Sequence, residues 1–209
     1  SVRELDSKIL LAVLAASKGH QVVLSDGQGL MSGFRSGLFE PGIYHTKSLT
    51  PSSLKISRHK ELISKGFKVT SIDEENTLYL DGAEQFIKSR NSDITIDQSS
   101  AVFTWGAEET EILKKLYSKN LHKIHTTGSP RIDLWKSFFF DYWNQPKGMP
   151  KKPFLLVASN MIATDNIPFH DNIKLSRSYG YFQRDPEFFK NRFYAISEDY
   201  KKIYEFISA

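Results

Sequence analysis

Three carboxylates stand side by side at Asp73-Glu74-Glu75, directly after the β-rich run Phe67 to Ile72. Crowded at the end of a strand they repel one another, and partial desolvation would raise the pKa of at least one. That is the setting of a general base or a carboxylate nucleophile, although acids at a helix N-terminus are also favoured by the helix dipole alone. A second group is Thr127-Gly128-Ser129-Pro130-Arg131-Ile132-Asp133. Gly128 permits a tight turn, Ser129 suits a cap and Pro130 suits the first helical position. Arg131 then falls in the first helical turn, where the dipole disfavours a cation. The pattern implies an anionic partner, either a ligand phosphate or carboxylate or Asp133 itself. A third stretch, Ser25-Asp26-Gly27-Gln28-Gly29, resembles a phosphate loop, but its glycines miss the dinucleotide spacing and a plain turn is the better fit.

Other chemistries are excluded by what is missing. The chain has no Cys, which rules out disulfides, thiolate zinc sites and a Cys nucleophile, and fits a cytoplasmic protein. The 6 His residues show no H-x-x-x-H spacing. His122 and His125, in one expected strand, point to opposite faces, so no metal is expected. Neither a G-x-S-x-G elbow nor a G-x-x-x-x-G-K-[ST] loop occurs. With 28 Lys+Arg against 24 Asp+Glu the net charge of +4 is far short of a nucleic-acid footprint. It suits a protein near an anionic membrane surface or one that handles phosphorylated ligands. The longest apolar run, Ile9 to Ala16, is well short of the ~18 residues of a membrane span. Phe138-Phe-Phe140, Tyr142 and Trp143 are expected to pack in a core or between domains rather than stack on bases.

The elements that must position these groups alternate along the chain. Asp6 is expected to cap a helix that runs to Lys18, apolar on most sides and therefore buried by neighbours. Gln21 to Ser25 reads as a strand, followed by a Gly- and Ser-rich loop to Ser36 and a weaker strand at Ile43. Ser53 to Lys65 reads as helix closing at Gly66, Phe67 to Ile72 as strand, and Glu84 to Arg90 as helix. Ala101 to Trp105 is expected as strand, Ala107 to Tyr117 as helix, His122 to Thr126 as strand, and Ser129 to Phe140 as helix. Short strands alternating with helices predict an α/β fold, a Rossmann-like parallel sheet with flanking helices over residues 1–143. Residues 144–153 carry three Pro, one Gly and three Lys and read as a linker. Residues 154–209 then begin a second, incomplete Rossmann-like domain. It opens with the apolar run Phe154 to Ala158 and ends in an amphipathic helix with the stripe Phe189, Phe193, Ile196, Tyr200, Ile203 and Ile207.

Several of these segments together resemble one family. They are Arg3-Glu-Leu-Asp-Ser-Lys-Ile-Leu-Leu-Ala12 followed by Gly19-His-Gln-Val-Val-Leu24, Pro41-Gly-Ile-Tyr44 with Lys47-Ser48, Ile72-Asp-Glu-Glu75, Phe103-Thr-Trp-Gly106 and Thr127 to Asp133. In this order they resemble the bacterial surface-carbohydrate biosynthesis proteins, glycosyltransferases of the two-Rossmann GT-B type similar to retaining β-Kdo transferases. The resemblance implies the N-terminal, acceptor-side domain of a GT-B fold plus the start of its second domain. Sugar would pass from a nucleotide-sugar donor, CMP-Kdo among the candidates, to a glycan acceptor of lipopolysaccharide or capsule, with no cofactor and no nucleic acid.

The resemblance also assigns residues. Glu75 is the first catalytic candidate and Glu74 the second, while Arg3, Glu4, Asp6, Gly128 and Arg131 would bind acceptor or phosphate. It places the protein in the cytoplasm, at the inner face of the cytoplasmic membrane. Asn76 stands where the family has a Gly after the carboxylates. The family also has a strand before Arg3 and a larger second domain, so the chain is expected to be a fragment, inactive alone, completed by further chain or by a homo-oligomeric partner. The alternatives are a non-catalytic glycan- or partner-binding module and a sugar-nucleotide epimerase-like enzyme.

Overall fold

The computed structural model describes residues 2–75 and 82–143, together with individual positions between 187 and 205. By its internal contacts the chain divides into two compact units, Ser1–Asn144 and Gln145–Ala209. The first unit is an α/β domain built on a four-stranded, wholly parallel sheet, which is a Rossmann-like arrangement. Its strands β1 (Ile43–Thr46), β2 (Lys68–Ile72), β3 (Ser99–Thr104) and β4 (Ile124–Thr126) lie side by side in chain order. Parallel strands need crossovers. Here α3 (Ser53–Ser64) links β1 to β2, α4 (Ala83–Arg90) and α5 (Asp93–Asp97) lie between β2 and β3, and α6 (Ala107–Leu116) leads to β4.

Each of these elements has a local cause. Ser52 caps α3 by accepting from the Lys55 amide, and Gly66, at φ 89°, ends it in the left-handed region. Ser92 and Thr95 close a reciprocal capping box on α5. In β3 the alternation sends Val102 into a core with Ile87, Ile96, Leu113, Tyr117 and Ile124, which fastens α4, α5 and α6 to one face of the sheet. Phe103 points the other way, its ring 6.3 Å from that of His45 and 6.1 Å from that of His125.

Several expectations are corrected. α1 begins at Val2 and runs to Ser17, so Asp6 lies inside the helix instead of capping it. In that helix Glu4 and Ser7 are buried, while Leu5, Ile9, Val13 and Leu14 are exposed. Its apolar sides therefore do not mean enclosure by neighbours. Gln21 to Ser25 forms no strand, and Val22, Val23 and Leu24 are exposed. A β-rich run needs a sheet edge to supply hydrogen bonds, and β propensity alone does not make a strand without one. Ile43–Thr46 is instead a full member of the sheet, at its edge.

The stretch expected as loop up to Ser36 is helix α2 (Gly27–Arg35), because Asp26 accepts from the Gly29 amide at 2.6 Å and caps it. His122 falls in a 3₁₀ helix, Ser118–Lys123, outside the strand. The helix expected from Ser129 to Phe140 breaks into α7 (Pro130–Asp133) and a 3₁₀ helix, Ser137–Tyr142. Trp135, Phe138, Phe140, Tyr142 and Trp143 are exposed, Phe138 at 87 %, so this cluster does not pack into the core.

Of the second unit, the described positions between 187 and 205 are helical, and all but Ser197 are exposed. The linker, the Phe154 to Ala158 run and the apolar stripe lie outside the described residues. Among the described residues no helix is long and apolar enough to cross a membrane.

Candidate functional site

In open parallel sheets the loops beyond the carboxyl ends of the strands carry the chemistry. At that end of this sheet, segments far apart in the chain meet in a web of ion pairs. Asp73-Glu74-Glu75 follows β2 as a turn, with the Glu75 amide donating to Asp73 Oδ1 at 2.9 Å. Each carboxylate meets at least one cation. Arg90, at the last turn of α4, grips Asp73 with Nε to Oδ2 at 2.7 Å and Nη2 to Oδ1 at 2.8 Å, and reaches Glu75 Oε2 with Nη1 at 3.0 Å. Glu74 is 1 % exposed, with Lys8 of α1 2.7 Å from its Oε1 and the Ser7 hydroxyl 3.4 Å from its Oε2. Lys47, just past β1, spans Glu4 at 2.9 Å and Glu75 at 3.7 Å. The repulsion expected among the three carboxylates is thus offset by Arg90, Lys8 and Lys47.

The same web fixes the backbone. Trp105, after β3, donates its indole N–H to the Asp73 carbonyl at 2.6 Å. Arg131 donates to the Glu74 carbonyl at 3.0 Å. Among the described residues the cation in the first turn of α7 meets a carbonyl oxygen, while Asp133 pairs with Lys136. Burial pushes the Glu4 carboxyl up, but the bond and charge of Lys47 outweigh it and leave Glu4 below its ordinary pKa.

Of the residues expected at the site, Glu4, Glu74, Glu75 and Arg131 come together. Glu75 has 37 % of its side chain exposed and can meet a ligand, whereas Glu74 is enclosed. Arg3 lies in the first turn of α1. Asp6 points to a different partner, accepting from the Tyr142 hydroxyl. Gly128 serves the turn after β4 at φ 86°, and its amide is already donated to the Thr104 carbonyl at 3.1 Å, as is that of Thr127. Lys8 and Arg90 were not singled out from the sequence. The signal for both was the acidic triplet itself, which needs cations once it is partly buried.

A half-buried and a buried histidine flank this region. His45 donates to or accepts from Thr70 Oγ1 at 3.0 Å, and burial, with Lys8 adding to it, lowers its pKa to about 4. His59 is fully buried with neither ring nitrogen bonded; burial, then Lys55 and Arg58, lower it to about 4. In the unfolded chain both take up protons near pH 6.5, but in the folded chain only near 4. The stability tied to their neutral forms is present above pH 6.5 and is lost as pH falls towards 4. Each accounts for about 3 kcal/mol at most. Melting curves from about pH 7.5 down to about pH 4.5 should show a falling midpoint that His59→Leu flattens. A midpoint independent of pH in that range would contradict the assignment.

No family model, curated protein or solved structure matches the chain. Fold and site together define a class: a Rossmann-like α/β domain with an ion-paired acidic platform at the carboxyl end of its sheet.

Proposed function

We propose that residues 1–143 form the acceptor-side domain of a GT-B glycosyltransferase of bacterial surface-polysaccharide biosynthesis, with Glu75 as its catalytic carboxylate. One observation carries the reading. The segments on which the family resemblance rests, distant in sequence, bond to one another at a single end of the sheet. Lys8 meets Glu74, Lys47 meets Glu4 and Glu75, Trp105 holds Asp73, and Arg131 holds Glu74. A packing role alone would not need this density of charge beside a half-exposed carboxylate.

In this reading Glu75 faces the acceptor or the reacting sugar, and Arg90 and Lys47 fix its orientation. Glu74 positions α1 and the turn without touching substrate. The donor is a nucleotide sugar, CMP-Kdo first among those to try, and the protein works in the cytoplasm at the inner membrane face. A second reading, a glycan-binding module without catalysis, is favoured by the pairing of every carboxylate in the platform with a cation.

Sugar transfer by the full-length protein from a panel of nucleotide sugars to lipopolysaccharide and capsule acceptors separates the two. Glu75→Gln is expected to lower turnover by about 100-fold or more with an unchanged melting temperature. Unaltered turnover in that variant would remove Glu75 from the chemistry. Glycan binding without any transfer would favour the second reading, and donor turnover without acceptor would favour an epimerase-like enzyme.

A further inference from the structure

The aromatic run after α7 is exposed, but its last two rings are tied down. Tyr142 donates its hydroxyl to Asp6 on α1, and Trp143 donates its indole N–H to the Leu134 carbonyl at 2.7 Å. Both polar handles are thus spent on the protein, while the rings themselves stay exposed. An exposed Tyr or Trp ordinarily lays its ring on apolar neighbours and keeps its polar atom wet. Here that order is reversed, and the ring orientation is fixed before anything binds. The two rings meet edge to face with centroids 5.1 Å apart. They are joined to the sheet mouth through α1, because Asp6 lies between Glu4 and Lys8, which reach Lys47 and Glu74, and α1 packs against α7.

The charges around the rings decide what could lie on them. The two cations of the segment are engaged, Arg131 with the Glu74 carbonyl and Lys136 with Asp133. Asp141, between Phe140 and Tyr142, is exposed and meets no cation among the described residues. An anionic bilayer surface draws unpaired Lys and Arg and repels such a carboxylate. A neutral ligand rich in hydroxyl donors suits it.

We propose that Tyr142 and Trp143, with the neighbouring Asp141, form a carbohydrate-stacking surface that holds one neutral pyranose residue of a glycan. A pyranose carries C–H groups on its faces and hydroxyls around its rim. The weakly positive C–H face lies on the negative face of an aromatic ring, and a rim hydroxyl donates to Asp141. The inference rests on the reading of the domain as one that takes a glycan acceptor, and it adds a subsite for a sugar residue other than the one that meets Glu75. Its test reads binding and not transfer, so the two can fail separately.

The test is saturation-transfer NMR on the 209-residue chain with methyl β-glucoside, methyl β-galactoside and neutral oligosaccharides released from lipopolysaccharide and capsule. Saturable binding of at least one of these sugars is expected, with the Trp143 indole N–H signal shifting and that of Trp105 unmoved. Tyr142→Ala and Trp143→Ala should each weaken binding about tenfold, and Asp141→Ala about threefold. Tyr142→Phe keeps the ring and loses only its tie to Asp6, so it should recover most of the loss. Leu54→Ala, an exposed apolar residue of α3, should change nothing. No saturable binding of any of these sugars, or binding undiminished in both alanine variants of the rings, would overturn the proposal. So would adsorption to phosphatidylglycerol vesicles, or dimerisation, that the ring variants abolish in place of sugar binding, since the surface would then belong to lipid or to a second copy.

Discussion

Truncation of Glu74 to Ala is expected to destabilise the domain by about 3–5 kcal/mol, measured by chemical denaturation at neutral pH. The carboxylate is enclosed, and its 2.7 Å contact with Lys8 holds the start of α1 to the turn after β2. Without it, an ammonium that keeps only 17 % of its side chain exposed has no counter-charge. The cost is therefore the stranded charge more than the lost bond. The double variant Lys8→Met, Glu74→Leu should recover most of the loss, because replacing both partners by apolar groups removes the stranded charge. A loss below about 1 kcal/mol in the single variant would place this pair among ordinary surface ion pairs.

Arg90→Ala is expected to cost about 2–4 kcal/mol and to loosen the turn that carries Glu75. One guanidinium makes the bidentate bond to Asp73 and the bond to Glu75, and it lies 5.8 Å above the Phe86 ring. Removing it leaves two acids facing each other across the turn without the guanidinium that bridges them. Arg90→Lys should recover less than half of the loss, since an ammonium cannot reproduce the planar fork. Full rescue by Lys would show that charge alone matters at this position.

The regular crossovers were legible because their signals are local. Ser52 and Gly66 bracket α3, the run before Asp73 is β-rich, and the apolar residues of α6 recur on one face. Where sequence reasoning failed, the outcome depended on partners. Val22 to Leu24 have the composition of a strand but no sheet edge beside them. The glycines of α2 argued for a loop, yet one aspartate cap and the packing of Met31 and Gly33 sufficed for a helix. The short α5 escaped notice because its capping box closes with Thr95 where the usual pattern has Glu or Gln.

At the site the acids were visible as a triplet, but their cations come from positions 8, 47 and 90, and no spacing rule joins those to residue 73. The aromatic run after α7 looked like core by composition. In the structure the 3₁₀ helix that carries it buries none of its residues.

The strand order carries a consequence for biosynthesis. β1, β2, β3 and β4 leave the ribosome in the order in which they sit, each beside its predecessor, so the sheet can grow outward as the chain lengthens. α1 is made before everything it touches. Glu4 waits for Lys47, Lys8 for Glu74, and the helix as a whole for α7 near residue 130. At about 5–20 residues per second, that is a wait on the order of ten seconds. Throughout it α1 is a nascent helix whose partners Lys47, Glu74 and α7 have yet to be made, so it is fastened long after it leaves the ribosome.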